Sequence, residues 1–145
     1  MPIRPENRAR YPADWPAISG AIRARAGNAC EQCGVENYAL GGRDHAGRWC
    51  PAQPTGDNGL RLTWPGPGET AWCNTPMSGP LRLKIVRIVL TVAHLDHRPE
   101  NCDPANLKCL CQQCHNRLDA SERRRGIRDR ARAVAAVGDL FGERA

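Results

Sequence analysis

Two cysteine pairs of the form CxxC constrain the fold of this chain more than any other feature. One pair stands in the segment NACEQCG and the other in LCQQCH. A tight turn lets both thiolates of a pair point at one ion, and two pairs complete a tetrahedral zinc site. About 80 residues separate the pairs, but the entropy of loop closure grows only slowly with length. We therefore predict one structural Zn²⁺ held by Cys30, Cys33, Cys111 and Cys114.

The composition indicates a small domain that needs such a staple. The 145 residues include one Phe, two Tyr and two Met, whereas Gly and Pro together account for 26. A chain with so few large apolar side chains builds only a modest core. No signal pattern opens the chain, and the apolar run 85–93 is too short to cross a membrane. We expect a cytoplasmic protein, in which paired cysteines more often bind metal than form disulfides.

The charge of the chain favours a partner rich in phosphate. The net charge is +6, the pI is about 9.1, and nearly all of the 21 basic residues are arginine. Arginine forks match the geometry of phosphate oxygens. Residues 121–132 carry a net charge of +4 and predict a DNA contact through Arg123, Arg124, Arg125 and Arg128, with Arg4, Arg8 and Arg10 trailing along a groove.

A second interpretation of the C-terminal segment is a solvated amphipathic helix. Its apolar positions then face the core, and the two interpretations are compatible. These positions are Ala131, Val134, Ala135 and Val137.

Local patterns predict a single α+β domain spanning 1–145. An extended arm occupies 1–13, and a helix over 14–26 begins with Asp14 as its cap and stops at Gly27. Residues 35–84 form an irregular insertion that needs internal packing or a function of its own. Short strands are expected around Arg48–Cys50, Leu60–Trp64 and Thr70–Cys73, and a longer strand over Leu83–Ala93 leads to His94. A helix is expected over Gln112–Ala120, and a last helix runs from a Ser121 cap to near Gly138.

Four further cysteines lie outside the predicted zinc site. Cys50 and Cys73 each follow a tryptophan within the insertion. They can form a disulfide or contribute to a second metal site, but we favour packed free thiols or a local cross-link without a catalytic role. Cys109 does not have CxxC spacing to its neighbours, and Cys102 is unassigned.

The segment VAHLDH…NLKCLCQQCH resembles the HNH endonucleases, and more narrowly the small HNH proteins of phages and bacteria. The resemblance covers 85–119 and reaches back to 30–34. It implies a ββα-metal domain on a treble-clef zinc frame, acting on DNA within a bacterial or phage-infected cell. The three signature positions of the family fall on His94, Asn106 and His115.

Each of these residue types suits phosphodiester hydrolysis. A neutral His94 at a strand end can accept a proton from water. The resemblance implies that Asn106 braces the loop between two strands and orients the base. His115 and Asp119 are four residues apart on one helix face and can hold a catalytic divalent ion, such as Mg²⁺, Mn²⁺ or Ni²⁺.

One position departs from the family pattern. Many HNH proteins carry a metal-binding Asp or His directly before the base, where this chain has Ala93. Asp96 or His97 of the following loop can supply the missing metal ligand, or Asp119 binds the metal together with His115 and water. A shifted register makes His97 the base. It leaves nine residues from His97 to Asn106 instead of twelve from His94, so we favour His94.

The sequence therefore predicts a metal-dependent DNA endonuclease or nickase that leaves 5′-phosphate ends. Water activated by His94 attacks phosphorus, and a metal near His115 stabilises the departing 3′ oxygen. One alternative is a zinc-stapled nucleic-acid-binding module without catalysis, which the residue Ala93 favours. Another is a scaffold in a phage packaging complex. No stripe typical of an oligomer interface is visible.

Overall fold

The computed structural model describes residues 5–57, 61–77 and 79–141 as an α+β protein with small antiparallel sheets between N- and C-terminal helices. No helix in these ranges combines the length and apolar character needed to cross a lipid bilayer. The helices are a 3-10 helix at Pro5–Arg10, α1 at Trp15–Arg25, a 3-10 helix at Pro104–Asn106, α2 at Gln112–Leu118 and α3 at Ala120–Phe141. The strands are β1 at Leu40–Arg43, β2 at Trp49–Pro51, β3 at Thr55–Asp57, β4 at Arg61–Thr63, β5 at Thr70–Thr75, β6 at Gly79–Lys84, β7 at Val86–Arg87, β8 at Thr91–His94 and β9 at Leu107–Leu110.

The first predicted helix is confirmed to within one residue at each end. Pro16 lies in the first turn of α1, where a missing N–H costs nothing. The backbone carbonyl of Asp14 accepts bonds from Ala17 and Ile18, but its side chain makes no capping bond, contrary to the prediction. Gly27 has φ +61° and ends the helix, as predicted.

The N-terminal arm is not extended, so this prediction was wrong for the described residues. Pro5–Arg10 form a 3-10 helix, and the Tyr11 N–H donates to the Arg8 carbonyl. One long-range contact anchors this short helix, because Arg10 Nε lies 2.6 Å from Glu100 Oε1. The ring of the next residue, Tyr11, packs at 5.0 Å from that of Trp15. Residues 1–4, including Arg4, lie outside the described part of the chain.

The main core lies between α1, the β8–β9 hairpin and α2. Strands β8 and β9 pair antiparallel with His94 opposite Leu107. Arg25 of α1 donates to the carbonyls of Pro104 and Leu107, both at 2.8 Å, and so ties the helix to the hairpin. The buried members are Ile22, Cys30, Val35, Ile88, Leu90, Ala93, Leu107, Cys109, Leu110, Cys111 and Cys114.

The insertion is built from hairpins around a second core. One sheet has the order β2-β1-β7, and β3–β4 and β5–β6 form separate two-stranded sheets. Strands β2, β4 and β5 confirm the three expected short strands, whereas β1, β3 and β6 were not predicted. Cys50, Cys73 and Ile85 are fully buried together with Ala52. The internal packing expected of the insertion is thus confirmed, and Cys50 and Cys73 are packed free thiols.

The single strand predicted over Leu83–Ala93 is wrong. Three short strands replace it, and each has another partner: β6 pairs with β5, β7 with β1 and β8 with β9. The reason is that one apolar run serves two cores. Ile85 belongs to the core of the insertion, whereas Ile88 and Leu90 belong to the main core. The prediction that the last strand ends at His94 is confirmed.

The last helix begins before its predicted cap. Helix α3 starts at Ala120, and the Arg123 N–H donates to the Asp119 carbonyl, so Ser121 lies inside the helix. The predicted core face is also wrong, because Val134 is 74% exposed, and the side chains at 131 and 135 are exposed too. The side chain of Val137 lies outside the description.

Candidate functional site

The two CxxC pairs converge on one point, although 78 residues separate Cys33 from Cys111. The sulfur atoms of Cys30, Cys33, Cys111 and Cys114 all lie within 4.8 Å of one another. Cys33 Sγ and Cys111 Sγ are 3.7 Å apart, close to the ~3.8 Å edge of a tetrahedron with Zn–S bonds of about 2.3 Å. Among the described residues this is the one group of three or more metal-ligating side chains whose ligand atoms lie so close together, and it is consistent with a zinc site.

The surroundings of the cluster act unequally on its thiols, since burial raises the pKa of Cys33 and of Cys114 whereas the pKa of Cys30 is lowered. Burial opposes ionisation of Cys30, but the backbone N–H groups of Cys111, Gln32 and Cys33 lower its pKa to about 7. Arg43 of β1 adds a cation, with Nη2 3.3 Å from Cys111 Sγ. Positive charge and N–H donors next to sulfur stabilise the form of cysteine that binds metal.

A cavity of about 300 Å³ opens beside the cluster, between the end of β8 and the face of α2. Its formation follows from the fold, because Cys111 and Cys114 of the four-cysteine cluster lie at the start of α2, which packs against the hairpin that carries His94. Predicted and unpredicted residues line it together, among them Tyr11, His94, His97, His115, Asp119 and Arg123.

Asp119 joins two of the histidines in this cavity. Its Oδ1 lies 3.4 Å from Nδ1 of His97, and its Oδ2 lies 3.5 Å from Nε2 of His115. His97 reaches this position from a left-handed backbone, with φ +58°. Of the two loop residues Asp96 and His97, the structure brings His97 to Asp119.

The ring of His115 is held from its other side. Thr91 Oγ1 lies 2.7 Å from Nδ1 of His115 and 3.3 Å from the carbonyl of Leu110. When the hydroxyl donates to that carbonyl, it accepts from Nδ1–H, and the unprotonated Nε2 faces Asp119. This is the tautomer in which Nε2 can bind metal. Burial lowers the pKa of His115 and preserves this neutral form.

His94 lies in an aromatic pocket at the other side of the cavity. Its ring stacks on Trp15 at 5.1 Å and meets the edge of Tyr11 at 5.7 Å, while Nε2 is 3.8 Å from Cys102 Sγ. Burial is the main cause that lowers the pKa of His94. The imidazole is therefore neutral at pH 7 and able to accept a proton.

Asp96 and Asn106 belong to the loop and not to the cavity wall. Asn106 Nδ2 donates to Asp96 Oδ1 and to the Asn101 carbonyl, both at 2.9 Å, and its Oδ1 accepts from the Asp96 N–H. Asp96 Oδ2 accepts from Asn101 Nδ2. Hydrogen bonds from the Asn101 side chain, the Arg98 backbone N–H and the Asn106 side chain lower the pKa of Asp96 to about 2. Both oxygens of Asp96 are engaged within the loop, so the structure does not bring this carboxylate to His115.

The predicted DNA-contacting arginines all lie exposed on α3. Arg123 is at the rim of the cavity, so it alone of the four borders the predicted site. Arg125 pairs with Glu122 at 3.7 Å. Arg124 and Arg128 flank a separate depression around Ile127. In the arm, Arg8 is exposed and Arg10 is paired with Glu100.

Sequence reasoning missed the residues that position the histidines. Trp15 lies in the predicted helix 14–26 and Tyr11 in the predicted arm 1–13, and no contact of either with a histidine was predicted. Thr91 and Cys102 gave no signal, because their contacts with His115 and His94 exist only after the hairpin and α2 have packed together. Arg43 lies in the insertion, and no sequence pattern predicts its contact with Cys111.

A search of protein-family models, of curated proteins and of solved structures gave no match to this chain.

Proposed function

We propose that this protein is a metal-dependent DNA endonuclease or nickase of the HNH type. One observation carries the proposal: His94 lines the same cavity as His97, His115 and Asp119. A neutral base opposite two imidazoles and a carboxylate is what hydrolysis of a phosphodiester needs. The order β8, β9, α2 around the four-cysteine cluster supports a ββα-metal domain on a treble-clef frame.

The donor set in the cavity fits a divalent cation. His115 offers an unprotonated Nε2, Asp119 a carboxylate and His97 a second imidazole, the mixture that Mn²⁺ and Ni²⁺ accept and that leaves places for water. Such an ion, when bound, supplies Lewis acidity for the charge that develops on the departing 3′ oxygen. Ala93 cannot be a ligand, and His97 takes over that task in this proposal.

His94 is the base in the proposed mechanism. Its imidazole takes a proton from water as the water oxygen attacks phosphorus, and the P–O3′ bond breaks to leave a 5′-phosphate end. Trp15 and Tyr11 fix the ring so that it does not rotate away from the cavity. Asn106 acts at a distance by holding the loop that carries His97. Arg123 at the rim contacts the neighbouring phosphate.

Cleavage of supercoiled plasmid tests the proposal. Zinc-loaded protein is incubated with plasmid and Mg²⁺, Mn²⁺ or Ni²⁺, and nicked and linear products are measured. His94→Ala is expected to lose at least about a hundredfold in rate, the usual contribution of a general base. His45→Ala is the matched control, because His45 is exposed in the turn between β1 and β2 and does not line the cavity.

The outcomes separate the two functions. Cleavage that needs His94 and a divalent ion, with ligatable 5′-phosphate ends, supports the nuclease. No cleavage by the wild type with any of the three metals overturns it and leaves the non-catalytic binding module or packaging scaffold. Equal cleavage by His94→Ala and wild type shows that His94 is not the base.

A further inference from the structure

A second cavity, which we call the basic groove, lies between β7 and the side of α2 that the candidate active site does not use. Its volume is about 580 Å³. Three guanidinium and three carboxamide side chains line it together with Val86, Ile88 and Ala120, and no acidic side chain does so among the described residues. The six polar residues are Arg43, Arg87, Gln112, Gln113, Asn116 and Arg117.

Arg43 is held rigidly at one wall of the basic groove. Its Nη1 donates to the Gly47 carbonyl at 3.1 Å, its Nη2 lies 3.3 Å from Cys111 Sγ, and its guanidinium stacks 5.4 Å from the Trp49 ring centre. An arginine fixed in this way loses little conformational entropy when it binds an anion. The zinc cluster therefore orders this wall as well as the catalytic cavity.

Arg87 and Arg117 have their charges available. Both residues are exposed, and no carboxylate in the described ranges pairs with either guanidinium. Unpaired arginines on a surface without acidic neighbours create a local positive potential. Such a potential attracts a polyanion and repels a cationic partner.

The basic groove and the catalytic cavity lie on neighbouring faces of one short helix. Asn116 projects about 100° from His115 around the helix axis, and Gln113 and Arg117 project about 160° from it, because successive residues of a helix are about 100° apart. A helix is roughly 10–12 Å across, so one extended polyanion can reach both faces.

We propose that the basic groove binds the phosphodiester backbone of the DNA whose scissile bond enters the catalytic cavity. This inference rests on the proposed function, since it gives the same substrate a second contact. Arginine forks form paired N–H···O bonds with phosphate, and the amides of Gln112, Gln113 and Asn116 donate to the remaining oxygens. Binding here is independent of base sequence and holds the strand in register.

DNA binding measured as a function of salt tests this assignment. Fluorescence anisotropy is recorded with a labelled duplex of about 30 base pairs in the non-cleaving His94→Ala background, without added divalent ions. Arg87→Ala with Arg117→Ala removes two groove charges and leaves Arg43 on the zinc cluster. Arg82→Ala with Lys84→Ala is the matched control, because it removes two exposed charges from β6 on the insertion.

We expect the groove variant to reduce the slope of log K against log salt by about two, one for each lost phosphate contact, and the control to leave it unchanged. Arg117→Gln alone, which keeps the helix and a polar side chain, should reduce the slope by about one. Zinc content and thermal unfolding are measured for every variant, so that a loss of folding is recognised.

Three results would overturn the proposal or separate it from the nuclease assignment. If the groove variant binds DNA with the affinity and slope of the control, the groove is not a DNA contact. Loss of binding to poly-glutamate, with DNA binding intact, assigns the groove to an acidic polypeptide instead. If the wild type cleaves no plasmid but the groove variant loses DNA affinity, the nuclease proposal fails and the groove assignment stands.

Discussion

The indole of Trp15 stacks on the imidazole of His94, with ring centres 5.1 Å apart and planes inclined by 21°. The contact joins α1 to the last residue of β8, and it leaves His94 only 8% exposed. Burial disfavours the charged imidazolium and lowers the pKa of His94. A residue far from β8 in the sequence thus contributes to the burial of the proposed base.

Replacement of Trp15 should therefore change a pH profile. Trp15→Leu admits water to His94, so the pKa of His94 rises toward its ordinary value of about 6.5. A base acts only above its own pKa, and the acid limb of plasmid cleavage should shift to higher pH. NMR titration of the His94 ring measures the same shift without activity.

Trp64→Leu is the control for this change, since Trp64 is 57% exposed and distant from the cavity. Trp15→Phe keeps an aromatic ring and should give a smaller shift if the leucine variant folds poorly. An unchanged His94 titration in both Trp15 variants would show that the indole does not control this pKa.

The cysteine cluster should bind one Zn²⁺ per chain and be needed for folding. Cys111→Ser removes a ligand shared by the core and the cluster, and we expect loss of zinc and of cooperative unfolding, because metal binding supplies folding free energy. Elemental analysis and thermal unfolding measure both. Cys73→Ser is the control, being equally buried but outside the cluster. Retention of zinc by Cys111→Ser would contradict the assignment.

Asp96, His97 and Asp119 should differ in their effect on binding of the proposed catalytic metal. His97→Ala and Asp119→Asn are expected to weaken Mn²⁺ binding by more than about tenfold, since even partners outside the first ligand sphere have effects of that size. Asp96→Asn should have a much smaller effect, because both oxygens of Asp96 bind within the loop. Electron paramagnetic resonance of free Mn²⁺ gives the affinities. The reverse ranking would restore Asp96 as the ligand.

Asn106 should stabilise the loop between β8 and β9. Asn106→Ala removes three side-chain hydrogen bonds, and we expect the free energy of unfolding to fall by about 1–2 kcal/mol. Urea titration measures the change. Asn116→Ala is the control, since its one side-chain bond, with Arg123, is 3.4 Å long. Equal stability of the two variants would show that Asn106 does not brace the loop.

Residue spacing was enough to predict the short-range features of this protein. CxxC with a following glycine predicts a zinc knuckle, because a turn must direct two sulfurs to one ion. Helix α1 and its end at Gly27 follow from spacing and from the left-handed preference of glycine. The pair His115 and Asp119 follows from helical geometry, and the structure holds them 3.5 Å apart.

Only the tertiary structure decided which distant groups meet. The apolar run 83–93 has one pattern but serves two cores, so its division into three strands depends on partners elsewhere in the chain. His97 and Asp96 are equivalent in sequence as substitutes for a ligand at Ala93. The hydrogen bonds of Asn106 and Asn101 hold Asp96 in the loop, and the left-handed backbone at His97 turns that imidazole to Asp119. Local patterns specify turns and helix faces, whereas contacts between residues far apart depend on how whole elements pack.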